Sequence, residues 1–172
     1  TVVGGAVGSE TRFNFTVLGD AVNLAARLEQ LARYYPAKVI LAESCLDRVT
    51  KESSSRPGRH RGKETRSVKN SGSANAGLEG GSSDLVGKCV QIDRLQFKGS
   101  TEPVGIYTTT EMSGEVRATF NRAFNLYLQG NFAEAAGHCR QIGGELPNFL
   151  AARCDELAAR PNFKWPGYYV WG

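Results

Sequence analysis

The chain has no run of the roughly 18 to 20 consecutive apolar residues that a bilayer span requires, and no charged-then-apolar signal segment at its start. A membrane anchor is therefore left to segments outside these 172 residues, and a cytoplasmic setting is expected, if only as the cytosolic part of a membrane-attached protein. The four cysteines, Cys45, Cys89, Cys139 and Cys154, lack CxxC or CxxH spacing, which argues against a zinc site and a dense disulfide scaffold. Apolar residues are almost missing between Lys51 and Asp84, where Ser, Gly, Lys, Arg and Asn dominate. Such a segment cannot recover the entropy of ordering itself, so residues 51–85 are expected to form a disordered basic insertion. A leading Met is absent too. Thr1 opens directly on TVVGGAVGS, as though the chain were entered in mid-domain.

What is present allows one ordinary core. With 41% hydrophobic residues, the length suits one truncated α/β domain plus a small appendix, not two full domains. The formal net charge of +4 would raise a nucleic-acid reading if it covered a folded face. Instead, the insertion holds seven Lys or Arg against four acids, a net of +3 that leaves the rest nearly neutral. A nucleic-acid or acidic-lipid role for Arg56 to Arg66 rests on charge alone, and such runs are usually solvated; no nucleic-acid partner is expected.

Residues 1–7 alternate small and β-branched side chains, residues 8–11 are a turn cluster, and residues 12–18 alternate again, which predicts a β-hairpin. Asp20 reads as the N-cap of a helix over residues 21–34, with Leu24, Leu28, Leu31 and Ala32 as its core stripe and Pro36 beyond its end. A short strand over residues 38–42 and a short helix over residues 43–50 follow. After the insertion, residues 88–97 and 104–109 form a second hairpin around the turn Lys98-Gly99-Ser100-Thr101. Helices are expected over residues 116–128, 131–142 and 149–159, resembling one tetratricopeptide-type hairpin that must pack on what precedes it, with an aromatic end around Trp165 that docks as well.

Asn23 and Arg27 stand four apart on the first helix, so they project together beside the Leu24/Leu28 stripe. Phosphoryl-type displacement asks a protein chiefly to hold the substrate in line and to meet developing phosphate charge with fixed donors. An Arg fork does the second, and an Asn amide can hold a sugar oxygen. Spacing alone is weak evidence, and for an arbitrary helix a first-turn Asn and a solvated Arg are the favoured reading.

The run FTVLGDAVNLAARLE, Phe15 to Glu29, resembles the signature of class III adenylate/guanylate cyclase catalytic domains: an aromatic, a base-selecting residue, then G-D-x-V-N-x-A-x-R. Downstream, LQFKGSTEPVGIYTTTE is similar to the late hairpin of that domain, and upstream VVGGAVGSETRFNF resembles its glycine-rich hairpin. Together these cover about residues 1–50 and 86–111, and the helical tail is similar to one found after many microbial and protist members.

The resemblance implies an α+β fold: a ferredoxin-like cyclase palm, a βαβ-type antiparallel sheet with helices, truncated at its N-terminus. Residues 1–111 would be its C-terminal portion and residues 112–172 a small all-α tail. By the same resemblance Asn23 orients the ribose, Arg27 stabilises the transition-state phosphate, Thr16 selects the purine, with Thr implying ATP, and Lys98 contacts the triphosphate. The bland readings are a β-branched strand residue for Thr16 and a solvated turn residue for Lys98. Asp20 is taken as a cap, not a metal ligand, and Gly4, Gly5 and Gly8 fit hairpin turns or close approach at an interface.

Class III cyclases hold two divalent ions through Asp residues of an early half, the first in a motif like F-x-D-x-x-G-F, and a purine-reading Lys precedes the glycine hairpin. None of these occurs here. The chain is accordingly expected to bind no metal by itself, with Mg2+ or Mn2+ ligated from outside it. It would convert ATP to cyclic AMP and pyrophosphate only with a second cyclase domain, either in a homodimer or as a complementary half. The competing reading is a catalytically incomplete module that binds nucleotide or pairs with a cyclase as a regulatory subunit.

Overall fold

The computed structural model describes residues 2–9, 12–55 and 86–172. Strands β1 (Val3–Ser9) and β2 (Arg12–Leu18) pair antiparallel from Val3 opposite Leu18 to Ser9 opposite Arg12, which is the first expected hairpin. The rest of the expected disordered insertion, beyond residue 55, lies outside the described residues.

Helix α1 (Asp20–Leu31) follows β2 with only Gly19 between them. Gly19 adopts φ 151°, which an L side chain rarely tolerates, and this lets the strand turn directly into the helix. Gly19, not Asp20, is therefore the N-cap residue, and no side chain caps the helix. Asp20 stands instead in the first turn, where its charge complements the helix dipole. The helix ends at Leu31, short of the expected residue 34, and Tyr34 and Tyr35 close it through turn bonds to the Leu31 carbonyl. Its stripe is buried only at Leu31; Leu24 and Leu28 are half-buried against the core and Ala32 is exposed.

Strand β3 is reduced to Leu41–Ala42, because Val39 gives its carbonyl to the Thr108 hydroxyl at 2.7 Å rather than to a strand ladder. Helix α2 (Glu43–Ser55) runs past the expected end at residue 50, through polar residues that carry no apolar stripe. Strands β4 (Cys89–Phe97) and β5 (Val104–Thr109) form the second hairpin and the centre of a four-stranded sheet of order β3-β5-β4-β6. A bulge at Ile92, between Gln91 and Asp93, shifts the register, so Val90 before it, Ile92 itself, and Asp93, Leu95 and Phe97 after it are all buried.

Helices α3 (Gly114–Leu128), α4 (Phe132–Ile142) and α5 (Glu145–Ala158) follow. The last begins four residues before expectation, since Gly143 and Gly144 at positive φ end α4 and Pro147 is tolerated in a first turn whose N–H groups lack helical partners anyway. The helices share one hydrophobic core with the sheet: Phe120, Phe124 and Tyr127 of α3, Cys139 of α4 and Leu150, Cys154 and Leu157 of α5 cluster with Val90, Leu95, Ile106 and Leu31. Trp165 docks too, donating its ring N–H to the Leu128 carbonyl at 3.0 Å at the exposed end of α3. The chain then returns as β6 (Tyr169–Trp171), a strand parallel to β4 that the aromatic pattern had not disclosed. The architecture is mixed α/β with one antiparallel and one mixed sheet, compatible with an α+β fold. Among the described residues, no helix is long and apolar enough to cross a membrane.

Burial pushes the Cys139 thiol up to about 11 and the Cys154 thiol up to about 12, from an ordinary 9.0, and raises Tyr35 and Tyr127 above their ordinary 10.0. The unfolded chain gives up these protons at lower pH than the native protein does. Stability is therefore unaffected by them below about pH 9 and falls from there towards about pH 12. A urea midpoint that stays level from about pH 8 to pH 11 would contradict this burial.

Candidate functional site

Gly19 sets the start of α1, so that one side of its first two turns faces the β4–β5 turn. Between them lies a cleft of about 390 Å³, with Asp20, Asn23, Leu24 and Arg27 on the helix wall and Phe97, Gly99, Ser100 and Val104 opposite. Asn23 and Arg27 thus open onto one space, as their spacing predicts. Asn23 is exposed, and Arg27 is half-buried with its guanidinium 5.4 Å from the centre of the Phe97 ring. That cation–π contact holds the Arg at the cleft wall. Among the described residues no carboxylate pairs with Arg27.

The opposite wall is a tight turn. Gly99 at φ 83° allows it, and the Ser100 amide bonds back to the Phe97 carbonyl at 2.8 Å. The Gln96 amide braces it further, donating to the Ser100 and Thr101 carbonyls at 3.1 and 3.2 Å. Lys98 sits exposed in this turn; its neighbours Phe97 and Gly99 line the cleft, but Lys98 itself does not. Thr16 is not brought to the cleft. It is half-buried on β2, opposite Gly5, in the separate two-stranded sheet.

Phe97 is the cleft residue that sequence reasoning missed as a functional candidate. Its signal was the apolar spacing in CVQIDRLQF, which steps from Ile92 to Leu95 and so places Phe97 inward. Asp20 is the one carboxylate lining the cleft, and among the described residues no group of three or more His, Cys, Asp and Glu is placed to hold a metal ion. A single carboxylate does not furnish the oxygen-rich coordination that Mg2+ or Mn2+ requires, so the described residues that line the cleft do not by themselves fit a divalent ion.

Strand β4, which ends at the cleft, also carries part of a buried polar knot. Asp93, fully buried, ion-pairs with Arg153 and accepts hydrogen bonds from the hydroxyls of Tyr35 and Tyr127, the latter at 3.1 Å. The Arg153 guanidinium also donates to the Tyr35 hydroxyl at 2.9 Å and lies 4.8 to 5.2 Å from the ring centres of Tyr35, Phe149 and Tyr169.

Comparison with known proteins relates part of the chain to adenylate cyclases. It is 48% identical over 44 residues to the adenylate cyclase of Anabaena cylindrica, a stretch that is 26% of this chain and 9% of that protein. It is 42% identical over 45 residues to the terminal-differentiation specific adenylate cyclase of Dictyostelium discoideum, 26% of this chain and 2% of that protein. A longer match, 41% identical over 61 residues, is to an uncharacterized protein of Mycobacterium tuberculosis, covering 34% of this chain and 11% of that protein. The chain thus aligns with about a tenth or less of the length of these relatives. No protein-family model matches the chain, and no solved structure matches it significantly.

Proposed function

We propose that this chain carries the transition-state half of an adenylate cyclase site, completed by a second domain. The observation that carries the reading is the convergence of Asn23 and Arg27 on one cleft facing the Phe97–Ser100 turn. The partial likeness to adenylate cyclases supports it. On this reading the hairpins, α1 and the sheet are the later part of a ferredoxin-like cyclase palm.

The reaction is attack of the ribose 3′-oxygen of ATP on the α-phosphorus, with the bond to the leaving pyrophosphate breaking and the 3′-hydroxyl proton passing to solvent water. Asn23 holds the ribose so that its 3′-oxygen lies in line, and Arg27 presents N–H donors to the charge that grows on the α-phosphate oxygens. The Phe97 ring keeps the guanidinium from reorganising as that charge appears. Lys98, a flexible point charge at the rim, meets the β- and γ-phosphates. Thr16 stands on the hairpin and reads the base only if the bound nucleotide reaches across from a partner, in a homodimer or a complementary half. Divalent ions would be held by ligands of that partner and would supply neutralisation of phosphate charge.

The test is to mix this chain with a metal-bearing cyclase half in Mg2+ or Mn2+ and to assay cyclic AMP. Activity above that of the added half supports the reading, and no gain rejects it. In an active pair, Thr16→Cys is expected to shrink the preference for ATP over GTP about ten-fold, the scale of one hydrogen bond. Unchanged selectivity would remove Thr16 from the site.

A further inference from the structure

We infer that the last strand, Tyr169–Trp171, is a strap that positions the Phe97–Gly99 wall of the cleft against α1, making Trp171 a positioning residue for nucleotide binding. The activity arm of this inference rests on the cyclase reading above; its structural arm does not.

The strand pairs with β4 at the residues leading into the cleft, Leu95 with Tyr169, Gln96 with Val170 and Phe97 with Trp171. One step further, the Lys98 amide donates to the Trp171 carbonyl at 2.9 Å, so the turn that bears Lys98 is held through Trp171. The same residue reaches the segment that leaves the helix of the other wall. Its ring meets Tyr34, just past the end of α1, edge to face with centroids 4.8 Å apart and planes at 75°. Gly172 closes against Lys98 so tightly that a Cβ there would lie 2.8 Å from the Lys98 Cβ.

A three-residue strand at a sheet edge has few hydrogen bonds to hold it, so its aromatic anchors decide where it sits. Tyr169 stacks under Arg153, which is ion-paired to Asp93 on β4, and Trp171 grips Tyr34. Trp171 therefore ties the turn, by its main chain, to the segment that follows α1, by its ring. Moving it changes the separation that Arg27, seated on Phe97, and Lys98 span. In this way the three helices that precede the strap are mechanically joined to the cleft.

The experiment uses the full chain with Trp171→Ala and Trp171→Phe. Hydrogen exchange of the Lys98 amide is expected to rise about ten-fold or more with Ala, while the β4–β5 ladder keeps its protection, and Phe, which preserves a ring against Tyr34, is expected to stay near the parent. In the reconstituted enzyme Trp171→Ala should raise the KM for ATP about three- to ten-fold with kcat near the parental value, and Trp171→Phe should restore it. Unchanged Lys98 exchange, loss of protection throughout the ladder, or no rescue by Phe would each overturn the strap. An active pair whose KM ignores Trp171→Ala would overturn its coupling to nucleotide. If the parental pair makes no cyclic AMP while Lys98 exchange follows the expected pattern, the cyclase reading falls and the strap stands.

Discussion

Arg27→Ala, in a chain paired with a metal-bearing cyclase half, is expected to slow cyclic AMP formation by about 10² or more, the cost of removing a donor aimed at charge that develops in the transition state. The size follows from preorganisation. Arg27 is half-buried, lies over the Phe97 ring and, among the described residues, is committed to no carboxylate. Its guanidinium is thus already held at the cleft wall with no competing carboxylate among the described residues. Because the contact strengthens as charge grows, the loss should fall on kcat with little change in KM. Arg27→Lys should recover only part of the rate, since an ammonium offers no planar fork. An Arg27→Ala pair as fast as the parent would remove Arg27 from the chemistry.

Arg153→Ala is expected to have the largest effect on stability, about 3 to 5 kcal/mol, read as a lowered urea midpoint. The substitution leaves Asp93, which is 0% exposed, with two tyrosine hydroxyls and no cation. A buried carboxylate without its counter-charge carries a desolvation penalty that the ion pair otherwise offsets. The loss also frees the rings of Tyr35, Phe149 and Tyr169 from the cation they surround. Removing both charges together, as Asp93→Asn with Arg153→Met, should restore most of the midpoint, because the penalty belongs to the unpaired charge. An Arg153→Ala protein within about 1 kcal/mol of the parent would mean that the pair is not buried in solution.

Much of the local structure was legible because each element states its own pattern. The alternation in residues 12–18 and the helix of ready formers after Gly19 gave the hairpin and α1, and the i, i+4 spacing of Asn23 and Arg27 placed both on one face. The Lys-Gly turn after β4 was equally plain. The rest depended on distant partners. Strand β3 shrank because Thr108 claims the Val39 carbonyl, and α2 lengthened through residues with no apolar period. Asp93, Tyr35 and Arg153 come from three distant segments, and no local pattern joins them; the bulge that turns Asp93 inward shows only in the paired strands. Strand β6 is three residues long, and its parallel partner lies far back along the chain, so its sequence carries only an aromatic flavour. The cleft followed the same division. Its helix wall could be read directly, whereas the Phe97 seat under Arg27 and the Trp171 bond behind Lys98 required the assembled sheet.

That late return of β6 also has a consequence in time. The two hairpins and the helices are local and can form as soon as their residues are available, but the pairing of Leu95 through Phe97 with Tyr169 through Trp171 must close a long loop. On synthesis, the wall bearing Lys98 is therefore fastened only after α3, α4 and α5 have emerged and packed. The nascent chain has α1 and its Asn23 and Arg27 long before it has a finished cleft, so the cleft is completed only when this distant pairing closes.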